Sequence, residues 1–372
     1  MTALNNEWDL IILEENDSIN TQTVWHAATL ARSRGIQEKD LLIIDWPKYP
    51  IVCCGLHQSL NQVVDLEYCT ANNIPVTRRA CGGGAVLLDQ NQLFYNVIAH
   101  IDSKIVPRKI SSLYSKLLQP VVQTYRNFNI DAIYRPVNDV IVENKKISGN
   151  GAGLLEQAQV LVGNFILDFP RKEMTQILRV PSEKFRDKVY KSLEAGISSF
   201  KDELGYIPDR KAIIKEYINQ VEKHLEISFT KTSLKPQTIE IMDELRKKYL
   251  TDEWLFQVNQ RGKNLFHKVK IHGSSHVVER NYKTTGGLIQ VICEFNESIL
   301  TDILISGDFW IFPDTILPQL EDYLKNTDLT KIDLSIHINE FLRNNECQSP
   351  GTTAADIAKP IIDSYQNIIK GG

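Results

Sequence analysis

Two short segments hold the residues best suited to chemistry. The first is Arg78-Arg79-Ala80-Cys81-Gly82-Gly83-Gly84-Ala85-Val86, set between a strand expected at Pro75–Thr77 and another at Ala85–Leu88. Consecutive glycines carry no Cβ, so the backbone can approach a ligand closely and aim several N–H groups at an anion. Arg78 and Arg79 add charge-assisted donors suited to a phosphate or a carboxylate. Without chemistry, the same segment reads as a tight hairpin with solvent-facing arginines.

The second segment runs Asn138-Asp139-Val140-Ile141-Val142-Glu143-Asn144-Lys145-Lys146-Ile147-Ser148-Gly149-Asn150-Gly151. A strand opening on Asn138-Asp139 turns at Glu143-Asn144 and returns through Lys146 into a glycine-rich stretch. Alternation puts Asn138 and Val140 on one face, Asp139 and Ile141 on the other. A lysine entering such a loop can fold its ammonium onto an α-phosphate and stabilise charge that develops during acyl transfer to phosphorus. The bland alternative is that Lys145 and Lys146 are two solvated turn residues.

The elements that must position these segments alternate between β-rich runs and amphipathic helices. Strands are expected at Trp8–Leu13, Leu41–Trp46, Ile51–Gly55, Leu93–His100, Asp139–Val142 and Val160–Asp168. Helices are expected at Thr21–Arg34, Ser111–Phe128, Arg210–Leu225 and Pro236–Leu250. This mixture points to an α/β or α+β layered domain over about residues 1–250. After Asp252-Glu253-Trp254 hairpin patterns take over, with strands at Lys268–Ile271, Leu288–Phe295 and Leu300–Ser306 and helices at Ile316–Lys325 and Ile332–Arg343. A smaller α/β accessory domain over about residues 262–345 follows, then a helical tail over about 346–372 whose Ile357, Ile361, Ile362, Tyr365 and Ile368 suit docking on an apolar surface.

At 372 residues the chain is long enough for two cores. A formal charge of -4 argues against a protein built on nucleic-acid binding. No run approaches the roughly 20 apolar residues that span a bilayer, and the polar, acidic N-terminus is unlike a secretory signal. A cytoplasmic location is expected. Cys53, Cys54, Cys69, Cys81, Cys293 and Cys347 lack the paired spacing of a zinc site and read mostly as small buried residues.

In order and spacing, the two segments resemble the lipoate–protein ligase family. The first matches its Arg-Arg-x-Ser-Gly-Gly-Gly-Ala-Val signature and the second its Asn-Asp-(apolar)…Lys-(Ile/Val)-Ser-Gly signature. Val52-Cys53-Cys54-Gly55-Leu56-His57-Gln58 resembles the family's apolar-Gly-x-x-Gln strand end, Gly163-Asn164-Phe165-Ile166-Leu167-Asp168 its His-Gly-x-Leu-Leu strand, and Ser192-Leu193 its Thr-Ser-Leu segment. The resemblance spans roughly residues 8–345.

The resemblance implies a fold shared with biotin ligases and octanoyl transferases, an α+β fold with a mixed β-sheet flanked by helices, and ATP-dependent ligation of lipoate, through lipoyl-AMP, to a lysine of an acceptor protein. Arg79, Cys81, Gly82, Gly83, Gly84, Ala85, Val86 and Gly149 would line lipoate and its adenylate. Asn138, Asp139 and Lys146 would contact ATP, with Asp139 also reaching Mg²⁺, and Lys146 would be the catalytic lysine touching both the acyl carbonyl and the α-phosphate. Val76, Val86 and Ile147 would wall the acyl chain or simply fill the core. The implied partners are lipoyl-acceptor domains or lipoate-binding carrier proteins, with no nucleic acid or membrane involved.

Several positions depart from the family pattern: Cys81 for Ser, Leu88 for His, Gln92 for Asn, and Asn150-Gly151 for Ser-Ala. Two readings stand beside the ligase. An octanoyl or lipoyl transferase would carry its acyl group on a cysteine thioester, and between Cys81 and Cys293 there is no cysteine, so only Cys81 serves that reading. A non-catalytic lipoyl-carrier-binding protein would not need Lys146 or the three glycines. A biotin ligase is disfavoured by the missing Gly-Arg-Gly-Arg-x-Gly loop.

Overall fold

The computed structural model describes residues 6–266, 275–313 and 315–371. The strand expected at Lys268–Ile271 falls outside them. In chain order the strands are β1 (Glu7–Asn16), β2 (Leu41–Pro47), β3 (Ile51–Cys54), β4 (Val76–Arg78), β5 (Val86–Leu88), β6 (Gln92–His100), β7 (Ile133–Arg135) and β8 (Asp139–Val142). They continue as β9 (Lys145–Ser148), β10 (Asn150–Leu155), β11 (Ala158–Ile166), β12 (Ser228–Lys231), β13 (Ser275–Thr284), β14 (Gly287–Asn296), β15 (Ile299–Gly307) and β16 (Thr327–Asp328).

The chain divides into two compact units that are not contiguous in sequence. The first comprises Met1–Cys53, Asp65–Thr77 and Val86–Leu250; the second comprises Cys54–Val64, Arg78–Ala85 and Thr251–Gly372. The glycine segment therefore belongs with the C-terminal half of the chain, and the lysine segment with the N-terminal half.

In the first unit a six-stranded sheet has the order β10-β11-β6-β2-β1-β12. It is mixed, as expected for the α+β class: β1 runs parallel to β2 and β12, while β2–β6, β6–β11 and β10–β11 are antiparallel. Strand β2 is buried on both faces, which is why Leu-Leu-Ile-Ile reads as a continuous apolar run and not as an alternation. The helix Asn20–Ser33 buries Val24, Ala27, Ala28 and Ala31 at helical spacing and packs against β6 and β11. An aromatic cluster of Tyr95, Tyr125, Phe165, Phe200 and Tyr217, with ring centroids 4.8–6.4 Å apart, joins the sheet to its helices. The single helix expected over Ser111–Phe128 is two, Ile110–Leu117 and Gln119–Asn127. Pro120 causes the break: it has no N–H for an intrahelical bond and sits instead in the first turn of the second helix.

Around the large sheet are two three-stranded sheets, β4-β3-β5 and β7-β8-β9. Because β3 lies between β4 and β5, the glycine segment is no hairpin turn but a crossover from one neighbour of β3 to the other. In the second unit, the antiparallel sheet β13-β14-β15-β16 packs with the helices Ile316–Leu324 and Leu334–Asn344 into one core. The C-terminal helix Ala354–Gly371 joins that same core, burying Ile357, Ala358 and Ile361 with Ile362, Tyr365 and Ile368 packed alongside. Among the described residues no helix is long and apolar enough to cross a membrane.

Candidate active site

The lysine segment forms the expected hairpin, with a register shift between Val140 and Ile141 that departs from simple alternation. Glu143 and Asn144 both take positive φ, 46° and 67°, the two-residue turn that suits the twist of a hairpin. Register then gathers the charges. Arg135 on β7 lies opposite Asp139 on β8, and Ile141, two residues further along the same face, lies opposite Lys146 on β9. Side chains opposed across an antiparallel pair point to the same side, so Arg135, Asp139 and Lys146 share one face. Lys146 Nζ is 2.9 Å from Asp139 Oδ1, and Arg135 Nη2 is 3.0 Å from Asp139 Oδ2. The other face is core, with Val140, Ile147 and Ser148 fully buried. Ile147 is therefore a packing residue.

Burial would push the Asp139 carboxyl up, but the Lys146 and Arg135 cations outweigh it and hold it below the ordinary carboxylate range. Asp139 is thus an anion gripped by two cations. Lys146 keeps about a third of its side chain exposed, 35%, so its ammonium can be handed to another anion.

Hydrogen bonds fix the backbone beyond Lys146. The side chain of Asn138 donates to the carbonyl of Asn150, and Asn150 Nδ2 returns a bond of 3.0 Å to the carbonyl of Asn138. The Gly149 N–H donates to Asn164 Oδ1 at 2.8 Å. A Cβ at Gly149 would sit 3.7 Å from Lys146 Cε, so the lysine stem lies across that glycine. On the far side of β9, the Ser198 N–H donates to the Lys146 carbonyl at 2.9 Å and Ile197 bridges Lys146 in parallel. Ser192-Leu193, matched from sequence to the family's Thr-Ser-Leu segment, lies within the helix Glu183–Gly196; it is Ile197-Ser198 that meets the lysine strand.

In the second unit the two arginines of the glycine segment separate. Arg78 is fully buried, its Nη1 donating to the carbonyls of Gly55, Leu56 and Gln58 at 2.7–2.8 Å and its Nε and Nη2 to that of Leu255. Its guanidinium nitrogens are thus engaged by backbone carbonyls, a structural role and not the ligand-facing one expected from its type. Arg79 folds over the loop itself, with Nη2 donating to the carbonyls of Gly82 at 2.7 Å and Gly84 at 2.9 Å. The loop is anchored to the end of β3 by Leu56 N–H to Cys81 O and Arg79 N–H to Cys54 O. Gly55 is required there, since a Cβ on it would lie 1.9 Å from the Gly83 carbonyl oxygen. Gly83 itself has φ +93°, a conformation that favours glycine.

The Trp310 ring lies against the loop, 3.3 Å and 3.2 Å from where Cβ atoms on Gly82 and Gly83 would stand, and Gly84 faces Asp308 Oδ2. No local signal separates Trp310 from its aromatic neighbours Phe309 and Phe312, far downstream of the loop it covers. Cys81 is 5% exposed; Val86 is half-buried and Val76 likewise.

Comparison with known proteins identifies the family. The family model of the lipoyl protein ligase A/B catalytic domain matches residues 25–226, more than half of the chain. The chain belongs to this family. Lipoate-protein ligase A subunit 1 of Thermoplasma acidophilum is 29% identical over 216 residues, covering 55% of this chain and 79% of that protein. Octanoyltransferase LipM of Clostridioides difficile is 22% identical over 272 residues, covering 67% and 98%. Among solved structures, a bi-partite lipoate protein ligase from Thermoplasma acidophilum, described with its E2 lipoyl domain, superposes with a TM-score of 0.61 at 26% identity over 67% of this chain and 96% of that one. The lipoyl ligase A/B family thus includes proteins named for two chemistries, ligation and octanoyl transfer. The matched region contains the Asp139–Lys146 pair and both glycine segments.

Proposed function

We propose that the protein is an ATP-dependent lipoate–protein ligase that forms lipoyl-AMP and passes the lipoyl group to a lysine of a lipoyl-acceptor domain or carrier protein. The Asp139–Lys146 ion pair carries this reading: a part-exposed ammonium rests on a carboxylate that a phosphate can replace. With ATP and lipoate bound, Lys146 reaches the α-phosphate and the acyl carbonyl, where charge grows as the carboxylate attacks phosphorus. The Gly82–Gly84 backbone and the Arg79 guanidinium supply donors to the adenylate once Arg79 releases the loop's own carbonyls. Cys81, Ala85, Val86 and Gly149 line the acyl and adenylate groups, and Asn138 contributes to the nucleotide side.

Both Asp139 oxygens are already engaged by cations, and among the described residues no group of three or more His, Cys, Asp or Glu gathers as a metal cage. With Lys146 drawn onto the phosphates, one Asp139 oxygen is released, and a single carboxylate suffices for a Mg²⁺ that arrives with the nucleotide and keeps phosphate and water ligands. Asp139 would hold it, and the ion would neutralise charge on the phosphates.

The family's octanoyltransferases favour a second reading, acyl transfer through a cysteine thioester. Against it stands the lack of a cysteine anywhere between Cys81 and Cys293, the stretch that includes the whole Lys146 hairpin, where a thioester route would need its nucleophile. Lipoate-dependent exchange of pyrophosphate into ATP tests the proposal: exchange is expected, and its absence alongside ATP-independent acyl transfer overturns it.

A further inference from the structure

Behind Gly149 runs a buried chain of side-chain amides to which the family resemblance assigns no role. The Gly149 N–H donates to Asn164 Oδ1 at 2.8 Å, Asn164 Nδ2 donates to Gln92 Oε1 at 2.9 Å, and Gln92 Nε2 donates to the Leu87 carbonyl at 2.8 Å. The residues beyond Gly149 are nearly inaccessible, Asn164 at 7%, Gln92 at 3% and Leu87 at 2%. The ladder explains the alignment, because Gln92 lies opposite Ile166 at the end of the β6–β11 pair and Asn164 is two residues along β11, on the same face.

We infer that Asn164 and Gln92 are positioning residues that set the reach of Lys146. Resting on the ligase reading above, the inference concerns how that site is kept in register. The lysine stem crosses Gly149, so the height of that glycine's backbone sets where Nζ ends. The Asn164 amide satisfies the Gly149 N–H in the orientation Gln92 imposes, since an amide accepting from Gly149 must present its NH₂ to an acceptor on the other side. Leu87 closes the chain on β5. The backbone beyond Lys146 is thereby tied through β11 and β6 to β5 by three hydrogen bonds.

The chain also gives a role to Gln92, one of the departures from the family pattern. The longer amide reaches from β6 both to Leu87 and across to Asn164. An asparagine there would be one methylene shorter.

The test uses Asn164→Leu, Asn164→Asp and Gln92→Leu in the full-length protein. In lipoate-dependent pyrophosphate exchange, Asn164→Leu should lower kcat about tenfold or more with KM for ATP and lipoate little changed, because misplacing a catalytic group affects the transition state and not ground-state binding. Asn164→Asp, which keeps the acceptor for Gly149 and loses the donor to Gln92, should recover part of the loss. In parallel, deuterium uptake of the peptide spanning Lys146–Gly151 should rise in both leucine variants while the six-stranded sheet stays protected. A rise in KM equal to the fall in kcat/KM, or unaltered uptake at Gly149, overturns the positioning role. Should the wild type show no exchange at all, the ligase reading fails, and the uptake measurement still decides the relay by itself.

Discussion

Lys146 and Asp139 meet at 2.9 Å across a hairpin whose two strands are joined by only Glu143 and Asn144. The pairing is a consequence of register, with Ile141 opposite Lys146 and Asp139 one alternation away. Neighbouring Lys145 pairs with Val142 and takes the opposite side of the strand.

That difference separates two adjacent lysines. Lys146→Ala should reduce adenylation by roughly 10²-fold or more, the scale for removing a preorganised charge at a developing oxyanion, with little change in melting temperature. Lys145→Ala should leave the rate within a few-fold of wild type. Equal losses in the two variants would contradict the assignment. Asp139→Asn should also unfold little, since Lys146 is part-exposed and can be solvated.

Gly55→Ala probes the support of the glycine loop. Its new Cβ meets the Gly83 carbonyl oxygen at 1.9 Å, so the loop must shift or the strand end must open. A destabilisation of about 1–3 kcal/mol by urea denaturation is expected, the usual range for overpacking, together with weaker ATP binding. Wild-type stability and affinity would show that the loop does not rest on the end of β3.

Asp45 sets a pH dependence of stability. It is fully buried beside Asn16 and Asn96, whose amides donate at 3.3 Å and 3.1 Å. Burial pushes its carboxyl from 3.8 up to about 7. Between those values the unfolded chain has lost the proton that the folded protein keeps, so this contribution falls as pH rises through the window, by at most roughly 1.4 kcal/mol per pH unit. Asp45→Asn removes the titration. Its stability relative to wild type should therefore improve from pH 4.5 to pH 7.5 in matched urea denaturations; a difference independent of pH would refute the assignment.

The Lys146 hairpin is legible in the sequence because alternation and a turn-prone Asn144 are local signals. Arg78 and Arg79 are not separable there, since both flank glycines and only burial tells the structural arginine from the loop-facing one. The Asn164–Gln92 relay is equally hidden: Asn164 is legible as part of a strand motif, but its partner depends on the β6–β11 register. The glycine loop's packing on Trp310 depends on a contact between residues far apart in the chain. Where the misreading is local, as in the helix divided at Pro120, periodicity carries through a residue that cannot continue a helix.

Cys81→Ser distinguishes the two chemistries found in the family. If Cys81 is a small residue of the loop, serine should support ATP-dependent lipoylation at a rate within a few-fold of wild type. A nucleophilic role predicts collapse, because an alkoxide is far harder to form near neutral pH than a thiolate.

The most direct measurement is intact-mass spectrometry of a lipoyl-acceptor domain incubated with the wild-type protein and lipoate, with and without Mg-ATP. The account predicts a lipoyl mass increment on one acceptor lysine only when ATP is present, accompanied by release of AMP and pyrophosphate. An acyl group transferred from an acyl-carrier donor without ATP, passing through a hydroxylamine-sensitive adduct on Cys81, would contradict it.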